Sequence, residues 1–200
     1  MPTISAEKIL MWKEKQILKG GDKKSLLLLM DLIGGVSNKD LNLLKINLEK
    51  NVKLKISLDL LESYWDKHLL DSIPIQYLSG FCYWRDLKLE VSNKVLIPRP
   101  ETELIIEIVS EIFKDKKEKI TFADLGTGSG AISIALSLAN PKWNGIATDI
   151  DKNTIEIASR NFAKNSNQCN LKFYSGNWWN PLEKFKGEID LAVSNPPYIP

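Results

Sequence analysis

Asp124-Leu125-Gly126-Thr127-Gly128-Ser129-Gly130 begins at the end of the strand-like run Ile120 to Leu125 and precedes the helix-like stretch Ala131 to Ala139. Glycines at alternate positions between a strand-like run and a helix-like run let the backbone turn sharply and pass close to a ligand. The next strand-like run, Gly145 to Asp149, ends in an acid 25 residues after Asp124. An acid there can accept hydrogen bonds from both hydroxyls of a ribose. Loop and acid together predict a nucleoside cofactor site at the carboxyl ends of parallel strands.

The pattern continues on the C-terminal side, with helical spacing from Lys152 to Asn165 and strand-like runs at Leu171 to Tyr174 and Ile189 to Ser194. Strands alternating with helices predict a parallel sheet with helices on both faces. On the N-terminal side, Thr102 is placed to cap a helix from Glu103 to about Lys114, and Lys114 to Lys119 is a charged, solvated loop. Residues 81 to 97 alternate apolar and other side chains around Arg85-Asp86 and Ser92-Asn93, which predicts a short antiparallel ribbon ended by Pro98-Arg99-Pro100.

The first 72 residues read as helices only. Ser5, Asp22, Ser37 and Ser57 are placed as N-caps, Asp40 completes a capping box with Ser37, and Gly20-Gly21 and Gly34-Gly35 act as stops. Apolar residues recur at three and four, as in a small bundle. The expected division is a helical domain over 1–73, a linker with a β-hairpin over 74–98 and a sheet domain over 99–200.

Composition is ordinary for a globular chain, with 44% hydrophobic and 26% charged residues in 200. The 27 basic and 25 acidic side chains give a net charge of +2, too weak to predict nucleic-acid binding. No apolar run is long enough to cross a bilayer, and the N-terminus lacks the pattern of an export signal. Cys82 and Cys169 read as reduced thiols without a base partner, and His68 as exposed or capping, with no metal site implied. The expected location is cytoplasmic.

The glycine loop leaves its cofactor open. Gly126-x-Gly128-x-x-Ala131 also satisfies the looser dinucleotide pattern. Against a dinucleotide, Asp124 would repel a pyrophosphate, whereas it could bind the cationic amino group of S-adenosylmethionine.

The last strand ends in Ser194-Asn195-Pro196-Pro197-Tyr198. Two prolines remove two backbone donors and leave the carbonyls of Asn195 and Pro196 free to face a ligand. The Asn195 amide adds an acceptor, and Tyr198 a flat ring. This suits a planar group bearing an NH2. Holding both hydrogens in fixed acceptors can turn the conjugated nitrogen lone pair toward an electrophile, with proximity as the main catalytic effect.

Asp124 to Gly130, Asp149 and Asn195 to Tyr198 resemble the amino-methylating group of S-adenosylmethionine-dependent methyltransferases. Adenine-amino methyltransferases of DNA or RNA belong to that group and stand as the alternative. Pro74 to Gly80, the segment Ile97-Pro98-Arg99-Pro100-Glu101-Thr102-Glu103 and the helical bundle narrow the resemblance to the bacterial peptide-chain release-factor glutamine methyltransferases.

That resemblance implies an α/β fold with a Rossmann-like class-I methyltransferase sheet of seven strands. Four are legible, so the sheet reads as truncated after the fourth. It implies methylation of the side-chain amide nitrogen of the glutamine in the Gly-Gly-Gln motif of class-I release factors, leaving S-adenosylhomocysteine. Asp124, Gly126, Thr127, Gly128, Ser129, Gly130, Asp149, Trp178 and Asn195 are then expected to bind the cofactor. Asn195, Pro196, Pro197 and Tyr198 are expected to bind the glutamine, with Arg99, Glu101 and Thr102 in support. The bundle is implied to contact the release factor, and stable nucleic-acid binding is not expected. Asn177 stands where the family commonly has Asp.

Overall fold

The computed structural model describes residues 1–114, 119–165 and 169–196. Residues 115–118 of the charged run, and Pro197 and Tyr198 of the last turn, lie outside the described residues. The chain forms two compact units, Met1–Gly80 and Phe81–Pro200.

The first unit holds β1 (Thr3–Ser5), α1 (Ala6–Lys19), α2 (Lys23–Leu29), α3 (Asn38–Leu44), β2 (Asn51–Lys53), α4 (Leu58–Asp71) and α5 (Ile75–Ser79). The caps are those the sequence predicts. Ser5, Asp22 and Ser57 side chains accept the backbone N–H groups of Lys8, Ser25 and Leu60. Ser37 and Asp40 form a reciprocal capping box. After α2 the chain continues as a π-helical turn, Met30–Gly34, which Gly35 ends in the left-handed region at φ 75°. Ile9, Leu26, Leu29, Leu61 and Trp65 are almost wholly buried and form the core. Gly21 is required by space as well as by its φ of 87°, since a Cβ there would lie 2.6 Å from the Leu69 side chain.

The helices-only reading of this unit is corrected in one place. β1 and β2 pair antiparallel, with Ile4 opposite Val52. Each is three residues long, too short to show alternation, and their pairing spans most of the unit. A short helix, α5, follows Pro74 where the sequence suggested a linker.

The second unit opens with an antiparallel ribbon that ends at Glu90, short of the 97 expected, because Val91 onward has no strand partner in the ladder. β3 (Phe81–Trp84) and β4 (Leu87–Glu90) pair antiparallel around Arg85-Asp86, and 91–99 is irregular. A 3-10 turn, Pro100–Thr102, leads into α6 (Glu103–Ile112). Then follow β5 (Thr121–Leu125), α7 (Ala131–Ala139), β6 (Asn144–Asp149), α8 (Lys152–Asn165), β7 (Asn170–Ser175), a 3-10 helix (Asn180–Phe185) and β8 (Leu191–Ser194). The sheet order is β7-β6-β5-β8, parallel throughout.

The central strand β5 is buried on both faces, Asp124 included. On one side α8 packs on β7 through Phe162 and Phe173. On the other, Leu182 and Phe185 of the 3-10 helix pack against Ala123, Leu125 and Ile146. The second face is therefore met by a short 3-10 helix rather than the α-helix the alternation suggests. Gly145 lets β6 lie close to its neighbours, since a Cβ there would meet Leu171 at 2.6 Å and Phe122 at 2.7 Å.

The ribbon is fastened to α8 by an amide ladder. Asn161 Oδ1 accepts from the Glu90 N–H at 2.6 Å, and its Nδ2 donates to the Glu90 carbonyl at 3.0 Å and to the Ser129 carbonyl at 2.9 Å. One turn further, Asn165 makes the same pair of bonds to the backbone of Lys88. Two side chains four apart on a helix thus stand in for a strand, because that rise of about 6 Å nearly matches two residues of β4. The Glu90 carboxylate adds a forked bond to Arg160 and a pair to Lys164. Among the described residues, no helix is long and apolar enough to cross a membrane.

Candidate active site

The carboxyl ends of β5, β6 and β8 converge on a cavity of about 440 Å³. The loop after β5 is tied down from beneath. Gly126 and Thr127 N–H groups both donate to the Thr148 carbonyl, at 2.9 and 2.8 Å. Gly126, Gly128 and Gly130 have φ of 72°, 56° and 82°, a region open to glycine and costly to others. A Cβ on Gly126 or Gly128 would meet nothing within 4 Å, so the loop presents bare backbone to open space. At Gly130 a Cβ would press on Ile134 and Ala158, so this glycine serves the packing of α7 against α8.

Asp149 stands at the end of β6 as predicted. One carboxylate oxygen accepts the Gly128 N–H at 3.0 Å and the other the Asp151 N–H at 3.2 Å. The acid thus shapes the loop and also lines the cavity.

Asp124 is placed differently from the expectation. It is 1% exposed and lies under the loop, off the cavity wall. Its Oδ2 accepts from Thr127 Oγ1 at 2.6 Å and the Ser133 N–H at 3.2 Å, while Oδ1 is buried with no partner. Burial pushes this carboxyl up to about 6, against the lowering effect of those hydrogen bonds. Its visible work is to hold the loop and the first turn of α7 together.

Thr127, Ser129, Trp178, Arg99, Thr102, Asn195 and Pro196 all line the cavity; Glu101 and Gly130 do not. Trp178 is half exposed and takes a positive φ of 46°. Thr102 is not a helix cap. Its side chain makes no capping bond, and its hydroxyl accepts from Asn195 Nδ2 at 2.9 Å. β8 is locked beside β5 at this end by Ser194 Oγ, which donates to the Leu125 carbonyl at 2.7 Å.

Sequence reasoning missed one wall. Lys94, Val95, Leu96 and Pro98 line the cavity from the irregular segment after β4. Thr154 Oγ1 donates to the Lys94 carbonyl and the Trp84 indole to the Arg99 carbonyl, which pins both ends of that segment. These residues lie outside the β-α alternation, so no strand-end rule marks them. The buried Thr154 on α8 is a faint signal at most.

Among known proteins, the family described as Methyltransferase small domain matches residues 101–199. A release factor glutamine methyltransferase of Prochlorococcus marinus is 42% identical over 197 residues, covering 98% of this chain and 67% of that protein. The chain belongs to the release factor glutamine methyltransferase family. A second member, from Bacillus cereus, is 44% identical over 138 residues, 67% of this chain and 47% of its own length. The chain spans about two thirds of the Prochlorococcus relative and about half of the Bacillus one. A solved SAM-dependent methyltransferase from Agrobacterium tumefaciens shares the fold, with a TM-score of 0.50, 13% identity, and coverage of 58% of this chain and 39% of that one. Family membership agrees with the class-I methyltransferase sheet that the resemblance implies.

Proposed function

We propose that this protein transfers a methyl group from S-adenosylmethionine to the side-chain amide nitrogen of the glutamine in the Gly-Gly-Gln motif of class-I release factors. The observation that carries the reading is that the glycine loop, Asp149 and Asn195 border one cavity. Open space above Gly126 and Gly128 suits close approach of a ligand to the backbone, and the cavity volume is in the range of small-molecule sites. Asp149 would hold the ribose hydroxyls, and half-exposed Trp178 would lie against the adenine. When bound, the cofactor supplies an electrophilic methyl carried on a sulfonium.

The protein's own part is positioning. The Asn195 side-chain oxygen and the Pro196 carbonyl would accept the two hydrogens of the glutamine NH2, turning its lone pair toward the methyl. Those dipoles also favour the positive charge that grows on nitrogen. The nitrogen then gives up a proton, leaving N-methylglutamine and S-adenosylhomocysteine. Pro197 and Tyr198, named by the family resemblance, would add to the glutamine site in this reading. The helical segment 1–73 is the proposed release-factor contact, 74–98 the linker and 99–200 the catalytic domain. A translation factor as substrate puts the enzyme in the cytoplasm.

Mass spectrometry of a purified release factor after incubation with the protein and cofactor tests this directly. A gain of one methyl on the Gly-Gly-Gln peptide is expected, lost with Asn195→Ala in a protein that remains folded. Methylated adenine in DNA or RNA, with no change in the peptide, would overturn it.

A further inference from the structure

We propose that Thr102 is a positioning residue that holds the Asn195 amide in place at the cavity. The inference rests on reading Asn195 as the residue that holds the reacting amide. A threonine at a helix entry usually gives its oxygen to a backbone N–H of the first turn. Thr102 does not. Pro100 opens a 3-10 turn, and Thr102 is already helical at φ −66° and ψ −19°, away from the extended conformation a capping residue needs. Its hydroxyl is thereby released from the helix. It meets Asn195, 93 residues away in sequence, at 2.9 Å. Thr102 is 7% exposed, and both residues border the same cavity.

A primary amide has a donor end and an acceptor end, exchanged by a half-turn of the side chain. A substrate NH2 needs the acceptor end; the other orientation sets two NH2 groups against each other. The Thr102 oxygen accepts from the donor end of Asn195, and this contact restrains the amide before the substrate arrives. Valine has the shape of threonine without the acceptor, and serine has the acceptor without the methyl.

Two measurements test this on the full chain. In the first, the Asn195 side-chain NH2 resonances are followed by NMR, assigned by their loss in Asn195→Asp. They are expected to exchange slowly with solvent in the wild type and in Thr102→Ser, and faster, at shifted positions, in Thr102→Val. In the second, Thr102→Val is expected to lower kcat for glutamine methylation about 10- to 100-fold. The cofactor Kd by calorimetry should stay unchanged, and Thr102→Ser should regain most of the rate. Should the valine variant fail to fold, Thr102→Ala reads the same pair. Unchanged Asn195 resonances in the valine variant overturn the proposal, as does a serine variant as slow as the valine one. A wild type that methylates no glutamine, yet whose Asn195 amide responds to Thr102→Val, overturns the substrate reading and upholds the Thr102–Asn195 pair.

Discussion

Asp124 shows how a single side chain can be located correctly from sequence and still be assigned the wrong surroundings. Its place at the end of a strand before three glycines is legible; its burial beneath the loop is not, because that depends on how α7 lies over it. The consequence is a pH dependence of known sign. Its folded pKa, about 6, lies above the ordinary 3.8. The stability this carboxyl contributes is complete below about pH 4 and is lost as pH rises toward 6. Asp124→Asn keeps an acceptor for Thr127 and removes the orphaned charge. The variant is expected to be more stable than the wild type at pH 8, by about 1–3 kcal/mol in urea unfolding. The gain should disappear at pH 4. Gly128 gives the complementary case. A Cβ there touches nothing, so Gly128→Ala carries only the backbone cost of its φ of 56°, about 1–2 kcal/mol. The added methyl protrudes from the loop, so calorimetry should show cofactor affinity falling at least about tenfold in a protein that remains folded.

Between the ribbon and α8, Arg160 and Lys164 meet one carboxylate. Arg160 and Lys164 hold the Glu90 carboxyl at about 2, with the Arg160 hydrogen bonds the larger cause. A carboxyl lowered in this way adds stability above its ordinary pKa of 4.5 and loses it as pH falls toward 2. Both cations are about half exposed, so screening limits the effect. Glu90→Gln is expected to cost about 1 kcal/mol at pH 7 and nothing at pH 2, by urea unfolding at the two values. The helices of the first unit were readable because their caps are local, each reaching three residues. The β1–β2 pair was not, since Ile4 and Val52 announce nothing by themselves. Burial also keeps a thiol protonated, for Cys82 lies inside and is pushed up to about 11.

Across the molecule, what sequence reveals and what it hides follow the distance over which each contact is made. The four parallel strands, the glycine loop and Asp149 were legible because strand, loop and helix signals are each contained in a few residues. The wall from Lys94 to Pro98 and the partner of Thr102 were hidden, because each is defined by residues far off in the chain. The Asn161 ladder belongs to the hidden class and has an effect beyond packing. One amide bonds the Glu90 backbone and the Ser129 carbonyl at once, so the ribbon and the glycine loop are coupled. The two are thermodynamically linked, and a ligand that steadies one raises the opening free energy of the other. Hydrogen–deuterium exchange should register this at a distance. On adding S-adenosylhomocysteine, the Lys88 and Glu90 amide hydrogens are expected to exchange more slowly, though neither residue lines the cavity. Asn161→Ala should abolish that slowing at Glu90. The hairpin would then serve as a clock for occupancy of the loop.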